Sequence, residues 1–290
     1  MSLYRLHAEK GPLIMGVVNV TPDSFSDGGR FFDVADAVRH ARELIAAGAD
    51  VLDVGGESTR PGAQPVTLGE EIDRVVPVIQ AITAEWDGPV SIDTLKPEVA
   101  EEAFKAGAAV WNDVTALGHE VWSLEVASRL GGDIILMHMQ GEPRTMQSNP
   151  YYEDVVAEVE SYLVDRAELA VRAGVPRDRI WIDPGIGFGK TLDHNLALLR
   201  ATERLAAHGF PLLMAASRKR FIAALEEREG ADVSDAEHRL GASIAVHLHA
   251  VAHGAKMVRV HDVAEMKQAL RVWKALSCTS PSLSDGGPHA

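Results

Sequence analysis

A single-domain (β/α)8 TIM barrel is the fold class this sequence predicts, on three observations. Short apolar runs alternate with longer amphipathic segments eight times along the chain, the rhythm of βα units around a parallel sheet. No shift of composition divides the 290 residues, a length that suits one barrel of the usual ~250 residues with short ends. Polar groups stand at the carboxyl end of run after run, which is where a barrel collects its catalytic residues on one face. A doubly wound sheet gives a similar alternation and differs in strand order, which sequence does not carry.

Residues 1–12 read as an N-terminal segment, 13–276 as the barrel, and 277–290 as a disordered tail rich in Ser, Pro and Gly. The first strand is "LIMGVV" (13–18). Asp33 is placed to cap a helix whose apolar residues Val34, Ala37, Val38, Ala41, Leu44 and Ile45 follow helical spacing. "DVLDV" (50–54) is the second strand. Thr67 and Glu70 have capping-box spacing ahead of a helix in which Pro77 predicts a kink. "PVSID" (89–93), a helix from Pro97, "AVWND" (109–113) and a weaker helix over 119–130 follow. "DIILMHM" (133–139) leads to a long helix over 153–173, and "IWID" (180–183) to one opening at Asp193 and stopping near Gly209. "PLLMAAS" (211–217) precedes helical segments through 253, and "KMVRV" (256–260) a last helix capped by Asp262.

The net charge of −14 argues against non-specific nucleic-acid binding, which needs a basic surface, but leaves room for a local cationic cluster around an anionic ligand. One cysteine, Cys278, makes an internal disulfide or thiolate zinc site impossible. The start "MSLYRLHAEK" lacks the apolar core of a signal peptide, and no apolar run approaches a bilayer span. A soluble protein of the cytoplasm, with neither nucleic acid nor membrane as partner, is expected.

The strand-end residues are Asn19, Asp53 with Glu57, Asp93, Asn112, His138, Asp183, Ser217 with Lys219, and Arg259 with His261. Each has a bland structural reading; the whole set points to a site, because burying so many polar groups unpaired would cost a few kcal/mol each. Asp93, Asn112 and Asp183 suit a flat heterocycle with several N–H donors, since a carboxylate matches an amino/N–H pair through two parallel hydrogen bonds. Asn19, Arg60, Arg259, His261 and the amides near Ser217 suit a phosphate or diphosphate. "SRKR" (217–220) places a helix N-terminus and three cations where an anion is welcome. Ligand spacing for zinc is missing, whereas Mg2+ held mainly by a substrate's phosphates, with Asn19 as a hard oxygen ligand, fits. "WIDPGIGFGKT" (181–191) matches neither phosphate-loop template: Pro184 stands where a P-loop needs glycine, and Lys190 where a dinucleotide fingerprint does.

Taken together, "IMGVVNVTPDSFSDGG", "DVGGESTRPGA", "SIDT", "WND", "LMHMQG", "DPGIGFGK", "SRK" and "RVHDV" occur in an order that resembles the dihydropteroate synthase family over about residues 14–270. That family is the sulfonamide target of folate biosynthesis, and the resemblance implies a (β/α)8 barrel, usually a homodimer. It implies a transferase that joins (7,8-dihydropterin-6-yl)methyl diphosphate to 4-aminobenzoate, releasing diphosphate. It would give the pterin Asp93, Asn112, Asp183 and Lys219, and the diphosphate Asn19, Thr59, Arg60, Arg259 and His261, with Asn19 also on Mg2+. Thr59, Pro61, Phe188, Ser217, Lys219 and Arg220 would receive 4-aminobenzoate, and the loops 21–31 and 55–63 would close over the reaction. Arg220 stands where many members have serine. A pterin-binding methyltransferase domain is the nearest enzymatic rival, and it should lack the "NVTPDSFSDGG" and "SRK…RVHDV" elements. An inactive pterin-binding paralogue is the reading from another class.

Overall fold

The computed structural model describes residues 2–20, 34–58 and 63–277. Eight parallel strands form one sheet: β1 (Leu13–Asn19), β2 (Val51–Gly55), β3 (Val90–Asp93), β4 (Val110–Asp113), β5 (Asp133–Met137), β6 (Ile180–Asp183), β7 (Leu213–Met214) and β8 (Met257–Val260). Their order is β6-β5-β4-β3-β2-β1-β8-β7, and a parallel bridge between Ile182 and Leu212 joins the two ends. Strands thus follow chain order around a barrel, which excludes the doubly wound alternative.

Helices cover the outside: α2 (Val34–Ala47), α3 (Leu68–Thr83), α4 (Pro97–Lys105), α5 (Ser123–Leu130), α6 (Val155–Arg172), α7 (Leu192–Arg200), α8 (Thr202–Ala206), α9 (Arg220–Arg228), α10 (Leu240–Ala252) and α11 (Val263–Ser277). The capping box at α3 forms as expected, with the Glu70 N–H donating to Thr67 Oγ1 at 3.3 Å and the Thr67 N–H to Glu70 Oε2 at 3.1 Å. Pro77 lies inside α3, which runs through it as one helix.

Several boundaries differ from the sequence reading. α7 opens one residue before the expected start because Thr191, paired with His194, is its cap. Asp262 does precede α11, but its carboxylate is taken by Arg218 instead of the helix end. β7 is only two residues long; Ala215 and Ala216 after it are irregular, and the turn begins at Ser217. α11 reaches Ser277, into the expected tail; Asp33 and the rest of that tail lie outside the described residues.

A further helix, α1 (Leu3–Lys10), was not expected from sequence. Ser2 caps it, and its two buried residues, Leu3 and Leu6, pack with Leu13, Met15, Val51, Val110, Ile135, Trp181, Leu213 and Met257. These residues stand at or near the amino ends of their strands and point into the barrel, so α1 closes its foot. The Leu3 N–H also donates to Asp133 Oδ2 at 3.2 Å. Full burial of each leucine contributes about 2 kcal/mol.

Candidate active site

Parallel register sets Asn19, Gly55, Asp93 and Asn112 abreast across β1 to β4, with Asp183 ending β6 beside Met137. Strand alternation then sorts neighbours to opposite faces. Asn112 points inward, while Asp113 turns to the loop and accepts the N–H groups of Thr115 and Leu117 at 2.7 and 2.9 Å.

Two residues below Gly55 is Asp53, completely buried. Its Oδ2 accepts from Asn112 Nδ2 at 3.1 Å and from Arg259 Nε at 2.6 Å, and Arg259 Nη2 donates to Asp93 Oδ2 at 2.9 Å. Asp53 Oδ1 has no hydrogen-bond partner. Sequence reasoning noted Asp53 only as a polar strand end; here it ties three predicted site residues together. Burial first, then the Asp53 charge, push the Asp93 carboxyl up to about 7, against the pull of Arg259. Burial alone would lower the Arg259 guanidinium, but Asp53 and Asp93 hold it above its ordinary range.

Asp183 is buried at the next position around the rim and accepts the Gly185 N–H on Oδ1 at 2.8 Å. Burial raises its carboxyl, opposed chiefly by Lys219. Lys219 is lowered to about 8 by burial, with Asp183 opposing. Its ammonium donates to the Ile186 carbonyl and lies 4.5 Å from the centre of the Phe188 ring.

The glycine-rich loop after β6 is built for close backbone contact, not for cradling a phosphate. Gly185 and Gly189 have φ of +66° and +62°, and a Cβ on them would come 2.0 Å from His138 O and 2.4 Å from Gln140 O. Lys190 turns inward, donating to Phe188 O at 2.9 Å, His138 O at 3.3 Å and His138 Nδ1 at 3.0 Å. Burial, then the Lys190 charge, lower His138 to about 3, so its imidazole is neutral and accepts. His138 is thus a structural acceptor under this loop. Gly185→Ala should cost at least about 3 kcal/mol through clash and left-handed backbone, read as a lowered chemical-denaturation midpoint. An unchanged midpoint would mean the loop can lift off β5.

After β7, Ser217 Oγ accepts the His261 N–H at 3.2 Å and lies 3.0 Å from His261 Nδ1, joining the ends of β7 and β8. Arg218 does not offer its charge to an anion as "SRKR" suggested: its guanidinium grips the Asp262 carboxylate through Nε at 3.0 Å and through Nη2. Lys219 is the N-cap of α9 and makes no side-chain cap bond. Arg220 is exposed in the first turn.

Glu57 leaves the strand-end group, because Lys96 Nζ binds it together with Glu71 and the Val66 carbonyl. Thr59, Arg60, Pro61 and the loop 21–31 lie outside the described residues. The structure therefore brings together Asp93, Asn112, Arg259, Asp183 and Lys219 around one opening, with Asn19 abreast of them and Ser217, His261 and Phe188 in the adjoining loops. Asp53, noted only as a polar strand end, and Lys190 are the residues to which sequence reasoning gave no role. The available signals were a second inward aspartate two positions before Gly55, and a lysine too close to packed glycines to reach solvent.

With this geometry in place, comparison with known proteins is informative. A family model described as pterin binding enzyme matches residues 15–261. Dihydropteroate synthase of Escherichia coli strain K12 is 46% identical over 264 residues, covering 91% of each chain. A structure of Xanthomonas albilineans dihydropteroate synthase with 4-aminobenzoic acid superposes with a TM-score of 0.86 at 46% identity, over 93% of this chain and 95% of that one. The same organism's enzyme in complex with 7,8-dihydropteroate gives 0.83 at 43% identity, with the same coverages.

Proposed function

The chain belongs to the pterin-binding enzymes, among the dihydropteroate synthases, and from that premise we propose how its barrel mouth carries out the condensation. The reaction joins (7,8-dihydropterin-6-yl)methyl diphosphate to 4-aminobenzoate and releases diphosphate. The C–O bond between the methylene and the diphosphate breaks first, its electron pair leaving with diphosphate. The aniline nitrogen then bonds to the methylene carbon and gives up a proton.

Asp93, Asn112 and Asp183 present acceptors to the pterin N–H groups, and Lys219 lies beside Asp183 at the ring's edge. The two carboxylates favour an electron-poor ring as the leaving group departs. Arg259 and His261 receive the diphosphate, joined by Thr59 and Arg60. Ser217, Phe188, Thr59, Pro61, Lys219 and Arg220 receive 4-aminobenzoate, with its carboxylate against the uncapped amino end of α9. The carrying observation is the Asp53–Arg259–Asp93 ion-pair chain, which sets a cation directly beside a pterin-reading carboxylate.

Mg2+ would be held by Asn19 and the diphosphate oxygens. Among the described residues no cluster of His, Cys, Asp and Glu is arranged to hold a metal unaided, which fits an ion that arrives with its phosphate ligand. It would neutralise charge on the departing diphosphate. A homodimer is supported by the apolar groove between α10 and α11, lined by Ile244, Leu248, Val272, Trp273 and Leu276. A cytoplasmic location accords with there being no helix, among the described residues, long and apolar enough to cross a membrane.

The deciding experiment is diphosphate release from the pterin diphosphate with Mg2+, with and without 4-aminobenzoate. Dihydropteroate formation is expected; pterin binding without product would leave an inactive paralogue. The pH dependence of binding follows from Asp93. Its carboxyl sits at about 7 in the free protein, and the ionised form accepts the pterin N–H groups. Below that pH binding must expel a proton, so affinity should fall by up to about tenfold per pH unit, and above it should level off. Calorimetry in two buffers should show about one proton released near pH 6 and none near pH 8. A flat profile would remove Asp93 from the pterin contacts.

A further inference from the structure

A row of polar residues on α10 has no part in the scheme above. Arg239, Ser243 and His247 stand four residues apart, so they line one face of the helix from its N-cap inward. All three address the main chain of the short turn after β7. Ala216 N–H donates to His247 Nε2 at 3.2 Å. The Arg218 N–H donates to Ser243 Oγ at 2.9 Å, and Arg239 Nη1 donates to the Arg218 carbonyl at 3.0 Å. Arg239 is itself braced on the Ser234 carbonyl, and Ser243 Oγ donates to the Arg239 carbonyl at 2.7 Å.

The turn requires such support. Arg218 has a φ of +59°, one of three non-glycine residues with positive φ in the described chain. A side-chain-bearing residue keeps that conformation only where its surroundings over-determine it. His247 is completely buried, and burial lowers its imidazole to about 4. With Nδ1–H donating to the Ser243 carbonyl at 2.8 Å, Nε2 is left as an acceptor, which is what the Ala216 N–H needs. Among the described residues, this ring is the group that accepts from that amide.

We infer that Arg239, Ser243 and His247 form a positioning template that fixes residues 216–218, and so sets Ser217 and the amino end of α9 for 4-aminobenzoate. The inference rests on the aminobenzoate assignment made above. Lys219 is held independently, by the Ile186 carbonyl and the Phe188 ring, so loosening the turn reaches the aminobenzoate side before the pterin side. The three residues touch no substrate; they act through the backbone of the turn.

The test compares His247→Leu, His247→Gln and Ser243→Ala in the full chain. Loss of the Nε2 acceptor in His247→Leu should raise the KM for 4-aminobenzoate about tenfold, with the pterin diphosphate KM changed by less than about twofold. His247→Gln, whose amide oxygen reaches the Nε2 position, should recover most of that loss. Ser243→Ala, which removes the acceptor for the Arg218 N–H along with the hydroxyl's own bond to the Arg239 carbonyl, should act in the same direction and serves as the test if His247→Leu fails to fold. Amide hydrogen exchange at Ala216 and Arg218 is read in parallel: protection should fall in His247→Leu and return in His247→Gln. An unchanged aminobenzoate KM in both Leu and Ala variants, or equal effects of Leu and Gln, would overturn the template. If the wild-type protein shows no turnover, the synthase reading falls instead, and the exchange data still decide whether the row positions the turn.

Discussion

Asp183→Asn should raise the dissociation constant of the pterin by about a hundredfold or more while the protein stays folded. The fold survives because the remaining amide oxygen can still accept the Gly185 N–H, which the carboxylate now holds at 2.8 Å. Binding suffers because the new NH2 group faces the ligand's own N–H donors, leaving two donors opposed in a buried site. Losing a charge-assisted bidentate contact and burying an unsatisfied donor together cost on the order of 3 kcal/mol, which is the stated factor. Calorimetric titration with a pterin, alongside thermal unfolding, measures both. An affinity within about threefold of wild type would sink Asp183 as a pterin contact.

Asp53→Asn should lower turnover by about a hundredfold and reduce stability by about 3 kcal/mol, although Asp53 touches no substrate in the scheme. The substitution keeps the shape but removes the charge against which Arg259 Nε is held, leaving a buried guanidinium with Asp93 as its remaining ion-pair partner. Arg259 should then shift towards Asp93 and compete with the pterin for that carboxylate. Coupling makes the prediction sharp. Asp53→Asn leaves Arg259 with one carboxylate instead of two, and Arg259→Met leaves both Asp53 and Asp93 without their cation, whereas in the double change only Asp93 has lost a partner. The double variant should therefore be more stable than the sum of the two singles by about 1–3 kcal/mol. Strict additivity in denaturant unfolding would mean that Asp53 and Arg259 do not depend on each other.

These two residues also mark how far the sequence could be read. The barrel was legible because alternation of strand and helix periods is a local property repeated eight times, and because polar strand ends recur in step with it. Asp93, Asn112, Asp183 and Arg259 were legible for the same reason. Asp53 was not given a role, because its importance comes from β8 and β4 bringing Arg259 and Asn112 to it across 206 and 59 residues of chain. Lys190 was given no role either: its glycine-rich segment fitted neither phosphate-loop template, and only the packing of that loop on residues 138–140 shows the lysine turned inward. His247 reads as one more residue of an apolar helix until Ala216 is found beside it. Helix α1 escaped notice because two leucines in eight residues make no periodic signal; it forms through its contact with the barrel, as short helices usually do.

That small helix has a consequence for traffic through the molecule. With Leu3 and Leu6 seated among the first inward residues of the strands, the barrel is a flask stoppered at its base, and everything that reaches the buried carboxylates must come and go by the neck. In the proposed scheme the pterin reads groups at the strand ends, and 4-aminobenzoate meets loops above them. The first guest to arrive thus sits beneath the second, and the departing diphosphate shares the passage by which its replacement enters. Loading order is a matter of plumbing: deep before shallow, with no rear exit.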